Sequence, residues 1–382
     1  MNTASRGSGG RTAAAAILTL YFFSLGYSVV TPAMSVFAEA FPDREYALIN
    51  SLPTLFIGIA GLILGPVAGK YMRFRTLAVL GSALALFAGL GPAFTQDFDL
   101  ILVFRALHGF GIGLIIAMAN TLANGRYDGE RRTKMLAVGS ILLNAGGICV
   151  QTLGGFLAET GWQTVFYGHV LFAAALVMSF FIPEIETDTA AGTRPDRKLW
   201  IVAVLFATYG MMQFSVMQNT AELFTLRGAG GSSVSGLTLS VFTLAGCIGG
   251  LLFGTVKKKS PASVFPLLWI LSFIGLAVTA YFESAAGMTA GMFMFGLGFG
   301  MVIPSFIDWT GSVCKASALA AGTAAVTASL YFGDFLSMVW KSVLDALFGE
   351  YMVSNLWVFS VLCLFLAFAF CRFPVCRTSA EE

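Results

Sequence analysis

Arg105, His108 and Asp334 are ionisable side chains that stand inside long apolar runs of this 382-residue chain. A guanidinium within such a run costs about 2.5–3.5 kcal/mol on membrane-insertion scales, so it either faces an interior partner or snorkels to the nearer interface. Facing inward, it is a fixed cation that can hold an anion or oppose a proton. His108 follows one helical turn later on the same face. Its imidazole can exchange a proton near neutral pH, or sit as a neutral ring bonded to a neighbouring helix. Asp334 is the carboxylate deepest in an apolar run. It is either a group that gains and loses a proton as its surroundings open and close, or a structural contact that locks two helices.

These residues need apolar elements around them, and the composition is 57% hydrophobic against 11% charged. A soluble domain carries about 25% charged residues to hydrate its surface, so cytosolic enzymes, nucleic-acid binders and secreted disulfide scaffolds are excluded together. A net charge of +2 makes no polyanion-binding surface. The six cysteines form no CxxC pair and lie mostly in apolar runs, as small core residues rather than metal ligands. Basic residues precede the first apolar run as in a signal peptide, but that run continues to about Ala33 and reads as a retained span.

A bilayer core about 30 Å thick needs roughly 20 apolar residues as helix. Twelve stretches qualify, near 12–34, 47–69, 76–95, 100–124, 135–157, 164–183, 199–222, 234–256, 262–282, 286–308, 316–340 and 352–371. They are continuous, unlike the alternating segments of a membrane barrel, so the chain is expected to be an all-α membrane protein. With the N-terminus inside, the inner segments hold eighteen Lys and Arg and the outer ones only Arg44, Arg227 and Lys341. Basic residues are retained on the cytoplasmic side, which places both termini in the cytoplasm. Glu39, Glu222 and Glu283 then sit at outer span ends as solvated carboxylates, and Asp308 in an inner loop near Lys315.

The stretch 184–198 is polar and charged and falls after the sixth span, as a linker between halves 1–183 and 199–382. The halves repeat each other. Gly109-Phe-Gly111-Ile-Gly113 in span four is echoed by Gly296-Leu-Gly298-Phe-Gly300 in span ten. Spans five and eleven align from Ala137 and Ala320, which sets Gln151 opposite Asp334. Phe37-Ala-Glu39-Ala-Phe41 matches Thr220-Ala-Glu222-Leu-Phe224, and the basic loop after span two has a counterpart after span eight. Four matches in one order indicate a duplicated six-helix unit. No strand precedes the glycine ladders, so they are close-packing sites between helices rather than phosphate loops.

Gly65-Pro-Val-Ala-Gly69-Lys70-Tyr-Met72-Arg73-Phe-Arg75 resembles the signature loop of the major facilitator superfamily, G-x-x-x-D-R-x-G-R-[RK], with Gly69 in place of the aspartate and Met72 in place of the second glycine. Arg105, His108 and Gly109 resemble the helix-four motif R-x-x-[QH]-G-x-G of its proton-coupled drug-antiporter branch, and Gly161-Trp162 with Phe166 is another common superfamily feature. The branch's G-P-x-x-G-G in helix five is kept only as Gly154-Gly155, after Val150-Gln151. The resemblance implies twelve transmembrane helices in two pseudo-symmetric six-helix bundles. Gly65, Lys70, Arg73 and Arg75 become gating residues, and Arg105, His108 and Asp334 proton-coupling ones. It also implies a central cavity beside helices one, four, seven and ten, lined by Tyr27, Thr31, Arg105, Asn120, Asn144, Gln151, Gln213, Gln218, Asn219 and Tyr331.

The expected activity is secondary transport of a small organic solute, driven by protons, in a monomer of a bacterial inner membrane. No nucleotide, cofactor, metal or nucleic-acid motif is present in the sequence. Efflux of amphipathic compounds fits the helix-four motif and the aromatic content. Uptake or exchange of an organic anion held by Arg105 fits the lost antiporter features, and a receptor or enzyme on the same scaffold is the rival of another class. Topology is checked with single cysteines in a cysteine-free background: one at Ser263 should react with an impermeant maleimide only from the inside, one at Gly228 only from the outside.

Overall fold

The computed structural model describes residues 5–127, 129–185, 197–314, 319–348 and 351–372. The core of the linker, 186–196, and Lys315 lie outside them. Among the described residues the chain is helical with one isolated bridge, Ala68 with Met72. Among the described residues nine helices are long and apolar enough to cross a membrane, and Leu48–Leu64 and Thr164–Ser179 are apolar but shorter. The chain is an integral multi-pass membrane protein.

Ten spans are single helices: Leu48–Val67, Phe74–Leu90, Phe98–Arg126, Gly129–Ala158, Arg197–Leu226, Ser232–Lys259, Val264–Tyr281, Ala285–Val313, Leu319–Phe348 and Tyr351–Arg372. They are helices two to five and seven to twelve. Helix one is composite, Ser5–Phe23 followed by a tight turn segment Gly26–Ala33 and a last piece Met34–Ala40. Pro32 lies within that segment, where its missing N–H breaks the regular ladder. Helix six likewise begins tight, at Thr164–Leu171, before Phe172–Ser179. Both breaks lie toward the end of the molecule opposite the Lys70 to Arg75 loop, called here the far end; the loop marks the basic end.

In a bilayer there is little hydrophobic drive between helices, so close packing does the work and small residues permit it. The glycine ladders show where. Gly109 and Gly113 in helix four face the backbone of helix two at Pro53 and Ile57, while Gly111 between them faces helix three at Gly81 and Ala85. In helix ten, Gly296 and Gly300 face helix eight at Phe242 and Gly246, and Gly298 faces helix nine at Leu268 and Ser272. The same three positions thus meet corresponding partners in each half. Helix one packs on helix five through Gly146 and Gly154, and helix seven on helix eleven through Gly210 and Gly333.

Across the halves, helix five meets helix eight and helix two meets helix eleven. Gly155 lies against Ser232 and Gly236, and Gly58 against Ala328 and Phe332. Hydrogen bonds follow the first seam: Thr152 with Ser240 (2.8 Å) and Thr243 Oγ1 to Gln151 Oε1 (2.9 Å). Ser35 and Ser232 approach at 3.4 Å nearer the far end.

Gly109→Val and Gly296→Val should each drive a methyl group into backbone, at a cost of about 1–3 kcal/mol or more, and lose the monodisperse peak in detergent size exclusion. Gly254→Val is the control: nothing lies within 4 Å of its Cβ position, and its profile should match wild type.

Candidate functional site

Pro53 lies in the first turns of helix two and has no N–H to give the Ile49 carbonyl four residues back. Arg105 supplies the missing donor, its Nε bonding Ile49 O at 2.7 Å. The guanidinium is fully buried, so it does not snorkel to the interface. Its Nη1 stands 3.5 Å from His169 Nε2, and its Nη2 has no partner in the structure. His169 Nδ1 lies 2.9 Å from Phe166 O; donating there leaves Nε2 free to accept from Arg105. His108 Nδ1 lies 2.9 Å from Ala85 O of helix three, and its ring meets that of His169 edge-on at 4.5 Å. Arg105 and His108 thus share a face, as their spacing predicts, but that face turns into the first half between helices two, three and six.

His169 is the residue sequence reasoning missed. A lone histidine in an apolar run looks like a core residue, and the chain has only two. The available signal was that second imidazole, six residues beyond Gln163 in the same half as His108.

Asp334 is elsewhere. It is buried on helix eleven, close to Gly210 of helix seven, and its Oδ1 has no hydrogen-bond partner among the described residues. No ion pair or hydrogen bond joins it to Arg105 or His108 among the described residues. Tyr27 of helix one and Tyr331, one turn before it, are within electrostatic range. Tyr27, Tyr331 and Phe214 of helix seven belong to one apolar cluster, which therefore bridges the halves. Aromatic walls and one carboxylate meet at this seam.

The other expected cavity residues divide by place. Asn120 is exposed and takes a hydrogen bond from Tyr21 Oη at 2.9 Å; Asn144 is half-buried, and its amide is turned to Ser140 O. Gln151 holds Thr243 across the seam. Thr31 donates to Asn50 Oδ1 at 3.2 Å, within the first half. Gln213 is buried with its amide on Met217 Sδ, and Gln218 is buried with Oε1 unpartnered. Asn219 lies elsewhere, on a water-sized hollow among helices seven, nine, ten and twelve, together with Thr279 and Asn355.

Charge at the helix ends is engaged. Gly69 has φ 77°, a left-handed turn conformation that an aspartate would adopt only with strain. Gly65 ends its run within helix two and Arg73 precedes helix three in extended backbone. Glu184 accepts from the Phe74 and Arg75 N–H groups at 2.9 and 3.2 Å, capping helix three, and Arg75 Nε donates to Ile182 O. Lys70 lies over the Tyr71 ring, 5.0 Å from its centre. Asp308 is inside helix ten and pairs with Lys257, rather than standing in a loop. Glu222 is buried rather than solvated. Arg227, counted in the sequence only as an outer charge, donates to the Thr279, Ala280 and Phe282 carbonyls and closes the end of helix nine.

The family profile of the Major Facilitator Superfamily matches residues 16–338. The 4-hydroxybenzoate transporter PcaK of Acinetobacter baylyi is 26% identical over 274 residues, 66% of this chain and 53% of that protein. The methylenomycin A resistance protein of Bacillus subtilis is 24% identical over 215 residues, 53% of this chain and 46% of that one. The match therefore spans about half the length of these curated relatives. The crystal structure of a bacterial homologue of the human lysosomal transporter Spinster, inward-facing and unoccupied, has a TM-score of 0.76 at 13% identity, covering 98% of this chain and 100% of that one. That likeness is one of fold.

Arg105→Met should leave Ile49 O and His169 without a donor, lowering stability by about 1–3 kcal/mol. Pro53→Ala returns a backbone N–H to Ile49 O. In the double variant it should recover about 1 kcal/mol, read by thermal unfolding in detergent.

Proposed function

Because the chain belongs to the major facilitator superfamily of transporters, we propose that it moves a small organic solute by alternating access and couples that movement to protons. In this reading the halves 1–183 and 199–382 rock about the seam, the linker 184–198 joins them, and the basic end faces the cytoplasm of a bacterial inner membrane. The protein works as a monomer.

One observation carries the proton: Asp334 is buried at the seam, and among the described residues its Oδ1 has no hydrogen-bond partner and no cation pairs with it. An unpaired charge in a dry seam is costly. A bound proton removes that cost while the seam is closed, and water removes the need for the proton once it opens, so protonation and conformation are linked. The tie between Gln151 and Thr243 holds the opposite side of the seam without any titratable group.

Efflux of amphipathic compounds is favoured. The seam offers aromatic rings and one carboxylate, while Arg105 is committed to Ile49 O and His169. The similarity to a methylenomycin A resistance protein supports this direction. Uptake or exchange of an organic anion is the second reading, supported by the similarity to a 4-hydroxybenzoate transporter. It requires Arg105 to release Ile49 O when the halves move. Asn120 and Asn124, exposed toward the basic end, support a cavity open on that side, the state of the Spinster homologue.

In proteoliposomes with an imposed pH gradient, wild type should accumulate solutes from a panel of amphipathic compounds and organic acids. Asp334→Asn, inserted and folded to the same extent, should lose at least 90% of gradient-driven accumulation, on the order of the tenfold change expected when a coupling free energy of 1–3 kcal/mol is removed. Uphill transport at wild-type level in the Asn variant would mean that the proton travels elsewhere.

A further inference from the structure

Helices five and eight meet across the seam as an antiparallel pair. Gly155 lies against Ser232 and Gly236, Thr152 bonds Ser240, and Gln151 takes Thr243. Carried on along both helices, that register sets residues 131–134, at the start of helix five, opposite 257–259, at the end of helix eight. Both stretches are basic, and one belongs to each half. The opposite ends of the pair, 155–158 and 232–235, carry no charge. Beyond Gly147 and Thr243 the helices part: a Cβ at Gly250 or Gly254 would meet no atom of helix five within 4 Å.

Each helix also carries an exposed apolar stripe. On helix five it runs from Cys149 through Ile141 and Val138 and ends in Lys134 and Arg131; on helix eight it runs from Leu244 through Ile248 and Leu251 and ends in Lys258 and Lys259. Steps of three, four, seven and eight residues keep each set on one helical face. In both helices the stripe lies about 90° round from the residues that meet the partner, at 100° per residue, and in an antiparallel pair this turns both stripes to the same side. Ile141 and Leu251 are 65% and 78% exposed there, so this side is the lipid face.

The four cations at its basic end are all exposed. Glu130 pairs with Lys134 at 2.7 Å and Asp308 with Lys257, and Asp128 lies outside the described residues. Arg131, Lys258 and Lys259 have no ion pair among the described residues. Water can satisfy exposed cations, so charge alone names no ligand. The stripes below add one. Arg131 stands seven residues, about 10 Å, from Val138, and Lys258 as far from Leu251. A lipid headgroup layer is about 5–8 Å deep, so long basic side chains and apolar surface are spaced as phosphate and acyl chains are.

We propose that the basic ends of helices five and eight bind one diacyl anionic phospholipid, its phosphate held by Arg131, Lys134, Lys258 and Lys259 and its acyl chains laid on the two stripes. Two of the cations come from each half, so the headgroup bridges the bodies. Their repulsion opposes drawing the basic end together, and the bound anion removes it; occupancy therefore favours the state closed at that end. This last step rests on the rocking of the halves proposed above, whereas the binding does not.

The test uses the full chain in nanodiscs, cysteine-free except for a bimane-labelled Thr255→Cys, which lies on the helix-eight stripe. Acyl-brominated phosphatidylglycerol, at about one-tenth of a phosphatidylcholine bilayer, should quench at least threefold more than brominated phosphatidylcholine at the same fraction, as basic residues at a membrane surface enrich anionic lipid. Arg131→Gln with Lys134→Gln, and Lys258→Gln with Lys259→Gln, should each remove about half of this excess or more, and all four together should abolish it. Arg372→Gln, which removes an exposed cation at the basic end of helix twelve, should leave it unchanged. Glycerol 3-phosphate, a headgroup without acyl chains, should not displace the lipid at millimolar concentration. Size exclusion of each variant separates lost binding from lost fold. Spin labels at Tyr71→Cys and Ser263→Cys, without the bimane, should report a shorter distance across the basic end in phosphatidylglycerol than in phosphatidylcholine, and no difference in the fourfold variant. Excess quenching that survives in the folded fourfold variant, or falls equally in Arg372→Gln, overturns the site. Displacement by glycerol 3-phosphate overturns the lipid as occupant, and an unchanged distance overturns the bridge. No solute or gradient is present, so a protein that fails the accumulation assay can still pass here, and one that passes there can fail.

Discussion

A proline one turn into helix two leaves the Ile49 carbonyl without its helical donor, and inside a bilayer no water stands ready to replace it. Much of the first half is arranged around the replacement. The Arg105 Nε reaches Ile49 O from helix four, and this approach requires helix four to lie directly on helix two. Gly109 makes it feasible, because its bare Cα faces the Pro53 backbone. His169 then receives Nη1, and its ring lies stacked between Phe166 and Phe172, in the space left by Gly89 of helix three. A proline, an arginine, two glycines and a histidine thus solve one hydrogen-bonding problem and tie helices two, three, four and six together.

The second half packs as closely, and among its described residues no cation is buried. Its ladder of glycines draws helix ten onto helices eight and nine, and Ser272, Thr279 and Ser305 return their hydroxyls to carbonyls of their own helices. Charge is spent at the ends instead. Arg227 covers three carbonyls where helix nine finishes, and Lys257 joins helix eight to helix ten through Asp308. Asp334 is the exception, a carboxylate kept in the interior of the span whose Oδ1 meets no hydrogen-bond partner among the described residues.

Periodicity and charge made the large features legible. Apolar runs of about twenty residues have one physical use, so the spans could be marked, and the offset between the glycine ladders anticipated the matching contacts in each half. The partner of Arg105 was harder to read. It is a carbonyl rather than a side chain, and it is available only because a proline follows four residues later, a signal that a search for acidic partners passes over. Arg105 was therefore expected near a substrate or a proton path, and in this structure its Nε bonds Ile49 O while its Nη1 stands beside His169. The facing of the polar residues was illegible for another reason. Helices in this chain are apolar nearly all round, so no stripe tells which side meets the cavity; Asn219 and Gln151 look alike in sequence, yet one faces the interior of its own half and the other crosses the seam.

Duplication explains why the seam is uneven. Gln151 and Asp334 occupy equivalent places in helices five and eleven, and in a strictly symmetric ancestor both would have faced the opposite half in the same way. Here the amide has found Thr243 on helix eight, a tie whose strength does not vary with pH. Among the described residues the carboxylate has found aromatic rings and a glycine. If both positions held amides, the seam would open and close with no dependence on protons; if both held carboxylates, closing it would require two protons or two counter-cations. On the mechanism proposed above, one of each gives the closed state a permanent contact on one side and a single titratable contact on the other. That is the smallest asymmetry by which one proton can bias a two-body equilibrium.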